Sequence, residues 1–251
     1  MNASHQSTTS AIAQRKIDLL NLIDYRLAET EAEKDEIYRL RYRAYLNEGA
    51  IEPNSSRRVK DRFDDLPNSW IFGVYYEDQL VSSLRVSVAS PEWPATPSMD
   101  VFPDALAPEI AKGKVLVDPT RFVADPAQAK RLAELPYMTL RLAYVACEHF
   151  RADLGLASVR VEHRAFYRRV FLHTIAEARD YPGLTKQICL MAIDFPEKRQ
   201  QVFARYPFLR STLFERRMLF ERRDVRAPSV NAASKLPADS ELVFPRAVSH
   251  S

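Results

Sequence analysis

Glycine is scarce in this chain, with 5 residues in 251, where average usage of about 7% would supply roughly 18. The five, Gly49, Gly73, Gly113, Gly155 and Gly183, stand singly and far apart. Neither G-x-G-x-x-G nor G-x-x-x-x-G-K-[ST] occurs, which excludes the glycine-built phosphate loops of dinucleotide and nucleoside-triphosphate sites. Glycine-rich low complexity and collagen-like repeats are excluded by the same count. Cysteine is scarcer still. Cys147 and Cys189 lie in apolar stretches without metal-ligand spacing. Neither a disulfide framework nor a metal site is expected, and a reducing cytoplasm is the default compartment. No apolar run approaches 18 residues, so no membrane span is expected. Met1–Ser10 is polar, without the apolar stretch of a secretory signal.

What is present is ordinary for a globular protein. Hydrophobic residues make up 46% and charged residues 27%, enough to bury a sizeable core. The net charge of +3 permits an acidic partner where basic residues cluster, and it does not require nucleic acid. No internal repeat is visible.

Local patterns place the elements. Ala11–Leu20 has helical spacing and reads as an arm. Asp24–Ala28 alternates and reads as a short strand. Thr30 is an N-cap, followed by acids suited to a helix start. That helix runs to about Glu48 and stops at Gly49. Glu52–Leu66 reads as a long loop. Trp70–Tyr76 and Leu80–Val88 form a hairpin around Glu77-Asp78. Ser90–Gly113 is proline-rich and irregular, with room for one short helix. Lys114–Val123 is a strand, Leu132–Ala152 a long helix, Ala157–Glu162 a strand and Ala165–Val170 a helix. Thr174–Arg179 and Lys186–Asp194 form a second hairpin. Pro196–Tyr206 is a short helix, and Ser211–Phe220 is an amphipathic strand or helix. From Ala227 the chain is rich in Ser, Ala and Pro and is expected to be a loose tail. The expected division is an arm over 1–23, one domain over 24–224 and a tail over 225–251. The element order implies an α/β fold with a mixed central sheet flanked by helices.

Four segments carry charge where a core pattern predicts apolar residues. Arg41 lies between Ile37 and Tyr45 on an otherwise apolar helix stripe. Asp61-Arg62-Phe63-Asp64 is an acidic cluster in a loop. Arg85 sits in a strand, opposite the face of Leu84, Val86 and Val88. Asp118 and Arg121 flank Pro119 inside a strand, where a proline removes a ladder donor and favours a bulge or an edge. Each segment has an ordinary reading on its own: an arginine snorkelling at the stripe edge, a solvated turn, an outward-facing strand arginine.

Together, in order and spacing, they resemble a known pattern. Leu40-Arg41-Tyr42-Arg43-Ala44-Tyr45, Asp61-x-x-Asp64, Leu84-Arg85 and Asp118-x-x-Arg121-Phe122 resemble the acyl-homoserine-lactone synthases. They are more similar still to the related long-chain N-acyl amino acid synthases. Both families share the Gcn5-related N-acyltransferase (GNAT) fold, and the resemblance spans about Tyr25 to Asp194. Three positions depart from the lactone synthases, which carry glutamate at Asp118, another aromatic at Tyr45 and tryptophan at Ile51. The departures tell against the lactone product and are compatible with the amino acid branch.

The resemblance implies an enzyme that moves a long-chain acyl group from acyl carrier protein to the amine of an amino acid, with no bound cofactor or metal. Such chemistry needs a base for the amine and donors for a tetrahedral oxyanion. Asp118 is the candidate base, or it only orients Arg121 and Arg41. Arg121 or Arg85 would pair with the acceptor carboxylate. Arg41, Asp61 and Asp64 would form a charge network ordering the loop over the acceptor, with Tyr45 and Phe122 beside it. Coenzyme A users of this fold resemble one another in a glycine-rich turn before the long helix. Val123–Lys130 has no glycine there, which favours a carrier-protein donor. Arginines at 160, 164, 168 and 169, and from 205 to 226, would suit an acidic carrier or simply form a solvated basic face. They come without a nucleic-acid motif. Alternatives are a lactone-type autoinducer synthase, a coenzyme A-dependent acetyltransferase and a non-catalytic carrier-binding module. His149, His163 and both cysteines read as core or surface residues.

Overall fold

The computed structural model describes residues 14–221. The expected tail over 225–251, the polar start Met1–Ser10 and Arg222, Arg223 and Arg226 lie outside the described residues. Residues 14–20, within the expected helical stretch Ala11–Leu20, are helical, and its first three residues lie outside the described residues.

A seven-stranded sheet runs in the order β1-β2-β3-β4-β5-β7-β6. The strands are β1 (Ile23–Leu27), β2 (Ser69–Tyr76), β3 (Gln79–Ala89), β4 (Leu116–Ala124), β5 (Leu154–Arg160), β6 (His173–Arg179) and β7 (Ile188–Asp194). All neighbours are antiparallel except β4 and β5. Helix α1 (Glu31–Asn47) follows β1. Its start is a capping box: Thr30 Oγ1 accepts from Glu33 N, and the Glu33 carboxylate accepts from Thr30 N at 2.8 Å. Gly49, at φ +60°, closes its end in the left-handed conformation that glycine adopts freely. The β2–β3 hairpin turns on Glu77 and Asp78, both with positive φ, the twist a two-residue turn requires.

The proline-rich stretch expected to be largely irregular instead forms two short helices, α2 (Pro97–Val101) and α3 (Pro103–Ala111), each with proline at its first turn. After β4, Asp125 caps a further short helix that the sequence pattern did not indicate, α4 (Pro126–Arg131). The long helix α5 is correspondingly shorter than expected, Leu135–Phe150. β5 begins three residues earlier than its expected Ala157 and gives way to a 3-10 turn at Val161. Helices α6 (Arg164–Arg169), α7 (Phe195–Arg205) and α8 (Leu213–Phe220) complete the chain, the last settling the strand-or-helix ambiguity.

Adjacent residues of each central strand serve opposite faces. Leu116, Leu156 and Leu190 pack with Phe102 and Leu106 of α2–α3. Val117, Ala157 and Met191 pack with Met138, Leu142 and Val145 of α5. Both faces are therefore dry, so a charged side chain on either face must find a partner inside. Among the described residues no helix is long and apolar enough to cross a membrane.

One irregularity positions the site. β4 and β5 pair only at Leu116↔Leu154 and Val117↔Gly155. The ladder then stops, and Pro119, which has no N–H to give, follows two residues on, after Asp118. Pro119 stays paired with Val86 on the β3 side, near a register shift between Ser83 and Arg85. It therefore lies in a central strand, not at an edge.

Candidate active site

The four charged segments converge. Arg41 Nη1 donates to Asp64 Oδ1 at 2.8 Å. Arg85 Nη1 lies 2.5 Å from Asp61 Oδ1 and 3.0 Å from Asp64 Oδ1. Arg121 donates to Asp61 Oδ2 from Nη2 at 2.6 Å and from Nε at 3.0 Å. The carboxylates are set by a 3-10 turn over Arg62–Asp65: Asp61 Oδ1 accepts from Phe63 N, and Asp64 Oδ2 accepts from Asp61 N. The ordinary readings fail here. Arg41 does not snorkel and Arg85 does not face solvent; both are 0% exposed. Asp64 is buried as well, so the loop is not a solvated turn. Burial pushes the Asp61 carboxyl up, but Arg85 and Arg121 outweigh it and hold the group well below the usual carboxylate range. Burial pulls the Arg41 guanidinium down, with Asp64 opposing and Arg85 adding to the fall.

Where β4 and β5 part, two cavities adjoin. The larger holds about 120 Å³ and is lined by Tyr45 of α1, Thr120 and Arg121 of β4, Ser158 and Arg160 of β5, and Tyr181 after β6. The smaller is apolar, about 20 Å³, between Val117, Leu140, Ala143, Cys147 and Gly155. Pro119 and Tyr167 border both. Arg121 adopts φ +55°, a left-handed backbone rare outside glycine and frequent at functional sites. The Tyr45 and Tyr181 rings flank its guanidinium at 5.6 and 5.9 Å. Burial pushes the Tyr181 phenol up to about 12, against the pull of Arg121. Burial also raises the Tyr167 phenol, so both hydroxyls keep their protons at neutral pH.

A family model for the N-acyl amino acid synthase FeeM matches residues 36–194. The chain belongs to the FeeM family of N-acyl amino acid synthases. It is an acyltransferase with the GNAT fold. The solved FeeM from uncultured soil microbes is 18% identical over 74% of this chain and 97% of its own, with a TM-score of 0.61. TofI, solved in a ternary complex with an inhibitor and MTA, is 18% identical over 75% of this chain and 99% of its own, at 0.54. BjaI, a CoA-dependent acyl-homoserine lactone synthase, is 14% identical over 75% of this chain and 89% of its own, at 0.53. No curated protein sequence matches the chain.

In this FeeM-family chain the expected site residues divide into two groups. Tyr45, Arg121 and Phe122 border the larger cavity. Arg41, Asp61, Asp64 and Arg85 stand behind Arg121 as its counter-charge network and do not line the cavity. Asp118 is fully buried and does not line it either. Its partner is not Arg121 or Arg41 but Ser98, whose N donates to Oδ2 at 2.9 Å and whose Oγ donates to Oδ1 at 2.7 Å. Burial raises the Asp118 carboxyl above the usual range, against the Ser98 hydrogen bonds.

Sequence reasoning gave no site role to Ser158, Tyr167 or Tyr181, set Arg160 on a basic face and read His163 as a core or surface residue; all five line the cavity. Arg160 Nη2 contacts Glu48 at 2.7 Å and His163 Nε2 at 3.0 Å. Each belongs to an unremarkable strand, turn or helix pattern. The one available signal was the position of Tyr167, on the short helix directly after the strand that parts from β4. Among the described residues no group of three or more His, Cys, Asp or Glu is arranged to hold a metal ion.

Proposed function

We propose that this protein transfers a long-chain acyl group from acyl carrier protein to the amine of an amino acid. The observation that carries the reading is the pair of adjoining cavities in the β4–β5 gap, one polar around Arg121 and one apolar, with Tyr167 at their border. A free amino acid fits the polar side: its carboxylate meets the guanidinium of Arg121, which Asp61 holds in place. The acyl chain enters on the apolar side, whose volume of about 20 Å³ is that of one small group. A long chain therefore requires that side to widen, and the thioester carbonyl lies between the two. The amine nitrogen attacks that carbonyl, the N–C bond forms, and the C–S bond breaks. Tyr167, still protonated, gives its proton to the departing thiolate. Strand N–H groups freed where the β4–β5 ladder stops are available to the oxyanion.

Two observations favour a carrier protein over free coenzyme A. A pyrophosphate needs the free N–H groups of a helix start. After β4 those groups are already taken: Asp125 Oδ1 accepts from Ala127 N at 3.0 Å and Gln128 N at 3.3 Å. The carboxylate also repels phosphate. Beside the gap, α6 presents Arg168 and Arg169 to solvent, which suits an acidic carrier.

The test is mass spectrometry of lipids from cells expressing the chain, followed by assays of the purified protein with acyl carrier protein thioesters and with acyl coenzyme A. N-acyl amino acids formed from the carrier thioester are expected. Turnover with the coenzyme A thioester alone overturns the donor assignment. Absence of any N-acyl amino acid overturns the whole reading.

A further inference from the structure

Asp118 presents a difficulty. It is the carboxylate nearest in sequence to the gap, yet it is sealed from the cavity where the amine must lose its proton. Its hydrogen bonds do not end at Ser98. Ser98 Oγ lies 2.6 Å from Ser158 Oγ, and Ser158 lines the cavity. We infer that Ser158 and Ser98 form a two-hydroxyl relay that carries the proton of the acceptor amine to the carboxylate of Asp118. The inference rests on the acyl-transfer reading above and adds the route of its proton.

The polarity of the chain follows from donor counting. A serine hydroxyl has one hydrogen and two lone pairs. Ser98 Oγ gives its hydrogen to Asp118 Oδ1, so the contact between the serines is donated by Ser158. Ser158 then turns lone pairs, not a hydrogen, toward the cavity, the arrangement that receives an N–H. The two heavy-atom steps within the relay, 2.6 and 2.7 Å, are those of short O–H···O hydrogen bonds. In transfer, the amine N–H breaks as an O–H forms on Ser158. The Ser158 proton moves to Ser98, and the Ser98 proton moves to Asp118, which becomes a carboxylic acid. Each serine ends with one hydrogen but with its donation reversed. The return transfer from Asp118 through Ser98 and Ser158 to the cavity reprotonates Tyr167, which lines the same cavity as Ser158, so no proton is gained or lost over the turnover.

The site around Asp118 suits the role of terminal acceptor. A carboxylate in water, near pKa 4, is a weak base for an amine, and burial strengthens it. The charged and titratable groups that face it are Arg85 of β3 and Tyr181 after β6. Arg85 is itself balanced by Asp61 and Asp64, so Asp118 is not locked in an ion pair of its own. Its second oxygen is held by Ser98 N, which fixes the carboxylate for the incoming proton. Ser98 and Ser158 are thus positioning and relay groups in one line, contributed by α2 and β5, 60 residues apart in sequence.

The test measures steady-state kinetics with the carrier thioester for the wild type and for Ser98→Ala, Ser158→Ala and Ser98→Thr. The alanine variants are expected to lose roughly 10²-fold or more in kcat, within the range of general-base catalysis, with KM changed by no more than a few-fold. The double alanine variant is expected to be no worse than either single one, because a relay broken once is already broken. Ser98→Thr, which keeps the hydroxyl, is expected to recover activity. Activity falls at low pH as Asp118 protonates. Ser98→Ala, which loses the Oγ hydrogen bond while the backbone N–H remains, is expected to lose that limb because its residual turnover no longer passes through Asp118. Since Ser98 is fully buried, a measurement on the unaltered enzyme runs in parallel. Its rate is expected to fall along a bowed curve as D2O replaces water, as more than one proton in flight requires. A straight line there, or wild-type kcat in Ser158→Ala, overturns the relay while leaving acyl transfer standing. No product from the wild type overturns both.

Discussion

The guanidinium of Arg41 and the carboxylate of Asp64 meet at 2.8 Å with neither side chain exposed. Removing one partner of a fully enclosed pair strands the other charge, at a cost of about 3–5 kcal/mol. Arg41→Ala and Asp64→Ala are each expected to destabilise the fold by that order, read as the shift in urea midpoint. Arg41 Nε and Nη2 and Arg85 Nη2 have no hydrogen-bond partner among the described residues, so part of the desolvation of the buried charges is left uncompensated. The double variant is therefore expected to lose much less than the sum of the singles.

Arg121 separates stability from activity. Its φ of +55° strains every residue but glycine. Arg121→Gly and Arg121→Ala both remove the guanidinium from the cavity, and both are expected to abolish acyl transfer. Arg121→Gly is expected to be the more stable of the two by about 1 kcal/mol. Equal unfolding midpoints would show that the left-handed backbone is not maintained in solution.

Acid is expected to unfold the protein through Asp61. Arg85 and Arg121 depress its carboxyl in the fold, so its contribution is fully present above the unfolded value of about 4. That contribution is lost as pH falls through the depressed folded value. Denaturant midpoints measured from pH 6 downward should drop below about pH 4, and Asp61→Asn should flatten that drop while lowering the plateau. Asp118 acts in the opposite sense, because its raised carboxyl gains a proton within the fold.

Gly155 keeps the apolar cavity open. A Cβ placed there would meet Ile193 Cγ2 at 3.0 Å and Cys147 Sγ at 3.1 Å, and all three residues line that cavity. Gly155→Ala is expected to shift the acyl products toward shorter chains. Chain-length ratios by mass spectrometry check this independently of total yield.

Periodicity carried most of the architecture. Thr30 with Glu33, Gly49 and the alternation of β2 and β3 announce their elements by local chemistry, and the structure places those elements as read. The motif arginines and aspartates were legible as a set only through the family resemblance, because each segment alone had an ordinary reading. Two kinds of feature were not legible. Arg85 was read as outward because alternation shows which residues share a face, not whether a second layer covers it; Asp61 and the 3-10 turn with Phe63 and Asp64 supply that layer. The partners Ser98, Ser158, Tyr167 and Tyr181 come from four separate segments. No spacing links them, since the contacts exist only once β4 and β5 have parted.

The sheet order decides which strand closes the pocket. β6 reaches β5 only through β7, which is made after it yet lies between the two. Thr185, in the connection between them, ties back to Ala50 and Gly49 at the end of α1, and Tyr181 and Leu184 of the same connection wall the cavity. The wall of the chamber is thus tied at one end to α1 and at the other to Ile188 of β7, which also lines it: the strand inserted last into the sheet is the one that holds the cavity shut on that side.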